Sequence, residues 1–491
     1  MNLLLSLLSA GLLILVYPPF DLRILAPVAL APLLIAVSRQ DNWYSRFLLG
    51  QAAGMFYWGG VCYWIEFVLE NHGGMETWLA WVSFLVFCFL KGLHTAVFAA
   101  LVGPMLGKPW AVLGVAALWT GMERLHGEFG FQWLLLGNAG IEMGVPMRLV
   151  PWVGVYGVSF VFAMMSVGVA LVVLRAPRSF LLPLAILPPL YLLPDLPPPL
   201  AGQDTAVAVQ GNAPQSARWT VDAIRELQNR MAMQSLQTSI DANRPSPTLL
   251  LWPESPAPLY FYTDPEFQAE AKRLARTIRT HFLFGTVAYD PRTNAPLNRA
   301  LLLNPNGEPV TSYDKMYLVP FGEFVPPVFT WVNRITQEAG DFQPGKQVVV
   351  SRIDNHTFGT VICYESAFPE LVRRFADEGA EMIVNLTNDG YFGRTSARGQ
   401  HLLLARMRAA ENRRWLLRVT NDGTTAAIDP AGRMTDTLAP FESVAGRLNF
   451  NWIPLKTAYT RHGDWFAWMC LALGLLAVVA CRFRIELRTA S

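Results

Sequence analysis

The chain has 491 residues, more than one ordinary domain of roughly 100 to 200 residues requires. Charged residues are 15% and hydrophobic ones 52%, with 16 Trp and 29 Phe, against about 25% charged in an average soluble protein; a disordered chain is excluded and a wholly soluble one is disfavoured. Thirty-nine Lys plus Arg against 37 Asp plus Glu leave a net charge of +2, too balanced for nucleic acid to be the main partner.

Up to about Leu200, long apolar runs alternate with short polar breaks, and a bilayer takes about 20 apolar residues to cross. The candidate spans are Leu3 to Val16, Ile24 to Val37, Phe47 to Leu69, Trp78 to Val102, Trp110 to Met122, Trp152 to Leu174, Phe180 to Leu193 and Trp465 to Cys481. The first, second, fifth and seventh are short, and the seventh carries Pro183, Pro188 and Pro189. The first lacks the basic start of a signal peptide and is read as a membrane helix. Lys and Arg favour the cytoplasmic side. With the N-terminus inside, that side receives Arg39, Arg46, Lys108, Arg175, Arg178, Arg482, Arg484 and Arg488, and the other only Arg23, Arg124 and Arg148. This arrangement needs the seventh span, places the globular segment outside and returns the C-terminus to the cytoplasm. Pro194 to Pro199 is read as a stiff spacer. The predicted organisation is a membrane domain of seven helices (1–200), an α/β catalytic domain (201–460), and a last membrane helix with its tail (461–491).

The globular segment reads as α/β. Apolar runs bounded by turn residues lie at Ala206 to Gln210, Leu249 to Trp252, Phe282 to Ala288, Ala300 to Leu303, Thr360 to Tyr364, Met382 to Leu386, Trp415 to Thr420 and Thr425 to Ile428. Helical patterns occur between several of them, at Pro265 to Arg279, Pro369 to Asp377 and Ser396 to Asn412.

Of the five cysteines, Cys62, Cys88, Cys470 and Cys481 lie in apolar stretches, which leaves Cys363 alone in the globular part. No CxxC, HExxH, GxGxxG or P-loop occurs, so neither metal nor nucleotide cofactor is expected. Cys363 closes a strand and precedes a helix. Such a thiol is either a buried structural residue or a nucleophile that nearby N–H groups favour as thiolate. Glu254, in Trp252-Pro253-Glu254-Ser255, is either a solvated strand-end carboxylate or a desolvated base. Lys315, within the run from Tyr313 to Pro326, is a surface lysine unless an anion accompanies it.

Together, the WPE, DK and CYE segments in this order resemble the Glu-Lys-Cys constellation of the carbon-nitrogen hydrolase, or nitrilase, superfamily, and Asn385 to Gly393 is similar to the segment that follows its nucleophile. The resemblance covers about Thr205 to Asn449 and implies an αββα sandwich. The apolar segments, the run from Lys315 to Pro326, Cys363-Tyr364-Glu365 and Glu411 to Trp415 extend it: nearly the whole chain resembles the apolipoprotein N-acyltransferase family. Tyr391 stands where that family often has Trp.

The resemblance implies an enzyme of the bacterial inner membrane with its catalytic domain on the periplasmic side. Its acyl donor is a glycerophospholipid, its acceptor a diacylated apolipoprotein, and a monomer is expected. By the same resemblance Cys363 is the nucleophile, Glu254 the general acid and base, and Lys315 the oxyanion stabiliser. Glu323 and Glu365 would support the triad, and Tyr364 and Trp219 would lie near the pocket. For Trp219 the alternatives are packing on the domain or insertion among headgroups. The rival functions are a membrane-tethered amidase and a non-catalytic lipid-binding scaffold. Lys91, deep in the fourth span, is expected to snorkel or to pair within the bundle, and Glu123, Arg124 and Glu128 to lie near the outer surface.

Overall fold

Among the described residues, twelve short strands in the globular part build two six-stranded sheets in the computed structural model of the protein. It describes residues 1–128, 131–174, 181–215, 219–240, 244–254, 256–320, 322–324 and 342–489, with backbone only for 181–182 and 482–489. Arg175, Arg178, Phe180, Ser255, Phe321, Val325 and Pro326 therefore lie outside the described residues, as do the side chains of Arg482, Arg484 and Arg488.

The first sheet holds β1 (Asp204–Gln210), β2 (Leu249–Leu251), β3 (His281–Tyr289), β4 (Pro296–Leu303), β5 (Pro309–Asp314) and β12 (Val444–Phe450), in the order β12-β1-β2-β3-β4-β5. The second holds β6 (Val350–Ile353), β7 (His356–Ile362), β8 (Met382–Thr387), β9 (Trp415–Thr420), β10 (Thr425–Ile428) and β11 (Met434–Leu438), in the order β11-β10-β9-β8-β7-β6. Each sheet has three parallel strands at its centre, β1-β2-β3 and β7-β8-β9, and antiparallel strands outside them. The helices Val221–Ser239 and Pro265–Ile278 pack on the first sheet, Pro369–Asp377 and Ala397–Asn412 on the second, and the sheets meet through β1, β9, β10 and β12. The expected αββα layering follows from this packing.

All eight predicted runs are strands. The four additional ones, β5, β6, β11 and β12, are the four sheet edges. An edge strand has fewer faces to bury, so its sequence lacks the apolar run that marks a central strand; β11 has no fully buried residue. Helix ends follow local chemistry. Asp264 accepts from the N–H groups of Glu266 and Phe267 at 2.9 and 3.1 Å, Pro265 occupies the first turn, and Arg279 closes the helix in the left-handed region.

The chain divides into two units. One comprises Phe67–Met75 and Pro197–Arg461, and contains both sheets; the other comprises Met1–Glu66, Glu76–Leu196 and His462–Ser491. In the second unit, among the described residues, two helices are long and apolar enough to cross a membrane, Thr77–Met105 and Val155–Val173. Shorter apolar helices are Asn2–Leu15, Arg23–Ser38, Pro183–Leu192 and Trp465–Cys481. The seventh predicted span departs most from expectation. Among the described residues its helix covers Leu181 to Ile186, about 9 Å at 1.5 Å per residue, and gives way to a 3-10 turn at Pro188–Leu192, where Pro188 and Pro189 do not continue an α-helix.

Close helix approach in this unit depends on glycine. A Cβ on Gly121 would meet Leu471 Cα at 2.3 Å, and one on Gly474 would meet Leu118 Cα at 2.6 Å, so Ala111–Glu128 and Trp465–Thr489 pack nearly backbone to backbone. Lys91 pairs within the unit: its Nζ donates to the Phe131 carbonyl at 3.0 Å and lies 4.8 Å over the Trp58 ring. Glu123 is enclosed by protein. It is buried on a helix and accepts the Leu136 N–H at 2.7 Å, whereas Arg124 pairs with Asp464 and Glu128.

Candidate active site

Three loops at the C-terminal edges of the strands carry the candidate groups. Trp252 follows β2 and is sunk in the core, its indole N–H donating to Ser235 Oγ at 3.0 Å. That anchor fixes the point at which the chain leaves the sheet and presents Glu254. Lys315 directly follows β5; its N–H donates to the Asn298 carbonyl at 2.9 Å and its carbonyl accepts from Gly345 at 2.7 Å. Cys363 directly follows β7 and begins a one-turn 3-10 segment, Cys363–Ala367.

Glu254, Asn298, Lys315, Glu323 and Cys363 line one cleft of about 230 Å³. Lys315 is 1% exposed, with its Nζ 2.9 Å from Glu323 and 3.4 Å from Glu254. Burial alone would lower its pKa, but the two carboxylates outweigh burial and hold the ammonium well above the usual lysine range. The anion that Lys315 needed is thus a pair. Asn298 Nδ2 donates to both, at 2.8 Å to Glu254 Oε1 and 2.7 Å to Glu323 Oε1. The other oxygen of Glu254 accepts the Asn388 N–H at 3.1 Å, and that of Glu323 the Val319 N–H at 2.8 Å.

Burial, and next the nearby Glu254 carboxylate, push Cys363 up to about 12, against smaller lowering by Lys315 and the Thr387 hydroxyl. Desolvation thus favours the neutral thiol and outweighs the pull of Lys315 toward thiolate. Reaction at its sulfur requires a base, and Glu254 borders the same cleft.

Glu365 is fully buried and does not touch the ammonium. It accepts the N–H groups of Met316, Tyr317 and Ile362 at 2.6, 3.2 and 2.7 Å and the Tyr313 hydroxyl at 2.7 Å. Burial lifts its carboxyl to about 7 against these donors. Its contacts bind the segment after Lys315 to the residue before Cys363. Tyr364 is buried edge-on to Phe368, with ring centroids 4.9 Å apart. Trp219 does not join the group: it packs, half-buried, against the hydrophobic core of the first sheet. Tyr391 does border the cleft, stacked on His72 at 4.5 Å.

Asn298 and His72 lack any signal in sequence: Asn298 is one polar residue in an ordinary strand, and His72 follows an apolar run. Asn388 lies in the segment that resembles the one after the nucleophile, but its contact with Glu254 is made by its backbone. Among the described residues no group of three or more His, Cys, Asp or Glu could hold a metal ion.

A carboxylate, a buried ammonium and a thiol share one cleft on paired α/β sheets, an arrangement chemically able to carry an acyl group on sulfur. Residues 206–445 match the carbon-nitrogen hydrolase family, and residues 9–168 match the apolipoprotein N-acyltransferase N-terminal domain. The chain is 34% identical over 502 residues to the apolipoprotein N-acyltransferase of Geobacter metallireducens, covering 98% of this chain and 95% of that one. With its counterpart from Nitrosomonas europaea it shares 29% identity, covering 94% and 93%. Among solved structures, an amidase from Nesterenkonia sp. is similar over 54% of this chain and 94% of its own, at 20% identity and a TM-score of 0.39. The chain belongs to the apolipoprotein N-acyltransferase family.

Proposed function

We infer that the protein transfers an acyl chain from a glycerophospholipid, through a thioester on Cys363, to the α-amino group of the N-terminal diacylglyceryl-cysteine of lipoproteins. The observation that carries this reading is the convergence of Glu254, Lys315 and Cys363 on one cleft in a chain related to such enzymes over nearly its full length.

In the first half-reaction Glu254 takes the thiol proton as sulfur bonds to the ester carbonyl carbon, and the ammonium of Lys315 faces the oxyanion. The carbon–oxygen bond to the glycerol then breaks, and Glu254 returns the proton to the departing lysophospholipid. In the second, the lipoprotein amine attacks the thioester, Glu254 accepts a proton from nitrogen, the carbon–sulfur bond breaks, and the thiolate recovers that proton. No net proton, electron or nucleotide is consumed. Glu323 opposes Lys315, Glu365 fixes the backbone between Lys315 and Cys363, and Tyr364 packs beside the nucleophile. One chain carries every group, so the site needs no second copy.

The enzyme resides in the bacterial inner membrane with the catalytic domain outside, supported by the loop charges and the apolar helices. Drawing an acyl chain into water costs about 0.8 kcal/mol per CH₂, so a site at the membrane surface suits two lipidated substrates. An eight-span chain ends in the cytoplasm. A reporter after Ser491 that is active only outside would leave an odd number of spans and remove the seventh.

The direct test is intact-mass measurement after incubation with phospholipid. An acyl adduct should form, vanish in Cys363→Ser, and pass to a diacylated lipopeptide. Free fatty acid without acylated peptide would identify a hydrolase instead, and an adduct surviving Cys363→Ser would move the nucleophile.

A further inference from the structure

Behind the cleft lies a buried polar chain that the mechanism above does not use. Cys363 has φ +49°, in the left-handed region that residues with a Cβ seldom occupy, and surrounding contacts must hold it there. Three side chains grip its carbonyl oxygen, His401 Nε2 at 3.0 Å, Ser366 Oγ at 3.2 Å and Asn385 Nδ2 at 3.5 Å, and the same His401 Nε2 lies 2.9 Å from Ser366 Oγ. His401 is fully buried and does not line the cleft. Its other nitrogen, Nδ1, lies 3.0 Å from Asp389 Oδ1 and 3.2 Å from Arg418 Nη2. Arg418 Nη2 reaches both Asp389 oxygens at 2.8 Å, and its Nη1 donates to Asn385 Oδ1 at 2.7 Å. Two of the three grips on the carbonyl, His401 and Asn385, are therefore braced by one buried guanidinium. Returning Cys363 to an ordinary φ would turn this peptide, release the carbonyl from His401 and re-aim the sulfur.

We propose that His401 is a positioning residue for acylation: its Nε2–H holds the Cys363 carbonyl, and with it the left-handed turn that aims the sulfur at Glu254 and Lys315. The inference rests on Cys363 being the nucleophile, as proposed above.

Two substitutions separate positioning from mere filling of the core. Gln places an amide N–H near the position of Nε2 and can still hold the carbonyl; Asn places one near Nδ1, keeps company with Asp389 and cannot reach it. In full-length protein, single-turnover acylation by phospholipid should fall on the order of 10²-fold in His401→Asn, as for a displaced reacting atom, with KM for phospholipid unchanged. His401→Gln should stay within several-fold of native. Equal losses in both variants, or native rates in both, overturn the proposal. If His401→Asn does not fold, ¹⁵N NMR of histidine-labelled native protein decides, with His401→Gln assigning the signal: Nε2 must bear a proton, and an Nδ1–H tautomer alone overturns it. Native protein that forms no adduct on Cys363 refutes the nucleophile assignment. Adduct formation at the native rate in His401→Asn refutes only the role of His401.

Discussion

The main-chain N–H of Asn388 donates to Glu254 Oε2 over 3.1 Å, so a carboxylate presented beside β2 of one sheet is held by backbone at the end of β8 in the other. The proposed base is thereby fixed by the sandwich itself and not by its own loop. Glu254→Gln keeps the shape but cannot accept the thiol proton. Acyl-adduct formation should slow by about 10²- to 10⁴-fold, the usual scale of general-base loss, while thermal melting in detergent stays close to native. A rate within threefold of native would remove Glu254 from the chemistry.

Lys315 balances two carboxylates, so its removal should cost stability as well as rate. Lys315→Met leaves Glu254 and Glu323 beside each other without a cation, a loss of about 3 kcal/mol by comparison with other broken buried pairs. Adding Glu323→Gln should recover most of the melting temperature. It should not recover acylation, because the oxyanion partner is still absent, at about 10²-fold or more. Recovery of activity in the double variant would show that Lys315 acts only as a structural counter-ion.

The raised Cys363 thiol fixes the direction of a pH effect. An ordinary thiol titrates near pH 8.5, whereas this one is pushed up to about 12. Alkylation of Cys363 by iodoacetamide, read by peptide mass spectrometry, should keep rising above pH 9 without a plateau. The folded chain retains this proton where the unfolded chain releases it, so the same group contributes stability that is full below about pH 8.5 and declines as pH rises toward 12. A plateau by pH 8 would reinstate the thiolate.

Gly322 lets the loop after Lys315 pass against Tyr391: a Cβ there would meet Tyr391 Oη at 2.2 Å. His72 stacked on the ring limits its retreat. Gly322→Ala should therefore displace Tyr391 and raise KM for phospholipid about tenfold, an effect of roughly 1.4 kcal/mol. Gly322→Ala with Tyr391→Phe should recover part of that loss. An unchanged KM in the single variant would mean that the cleft wall yields freely.

What the residues alone determined were the pieces whose physics is local. The eight central strands are legible because burial on both faces demands continuous apolar runs. Glu254 and Cys363 are legible because each follows such a run, and all three, Lys315 included, because their chain order resembles that of a known family. Tertiary structure decided the rest, since those outcomes depend on what crosses from one sheet to the other. The four edge strands, with little to bury, leave a weak trace. Asn298 matters because its strand stands in the same sheet as the one that presents Glu254, Asn388 because the second sheet brings its backbone there, and Trp219 packs on the core because its neighbours offer apolar surface there. The upward shift of the thiol was decided in the same way: a strand-end position favours thiolate through nearby dipoles, but only the folded sandwich sets how much water is withdrawn.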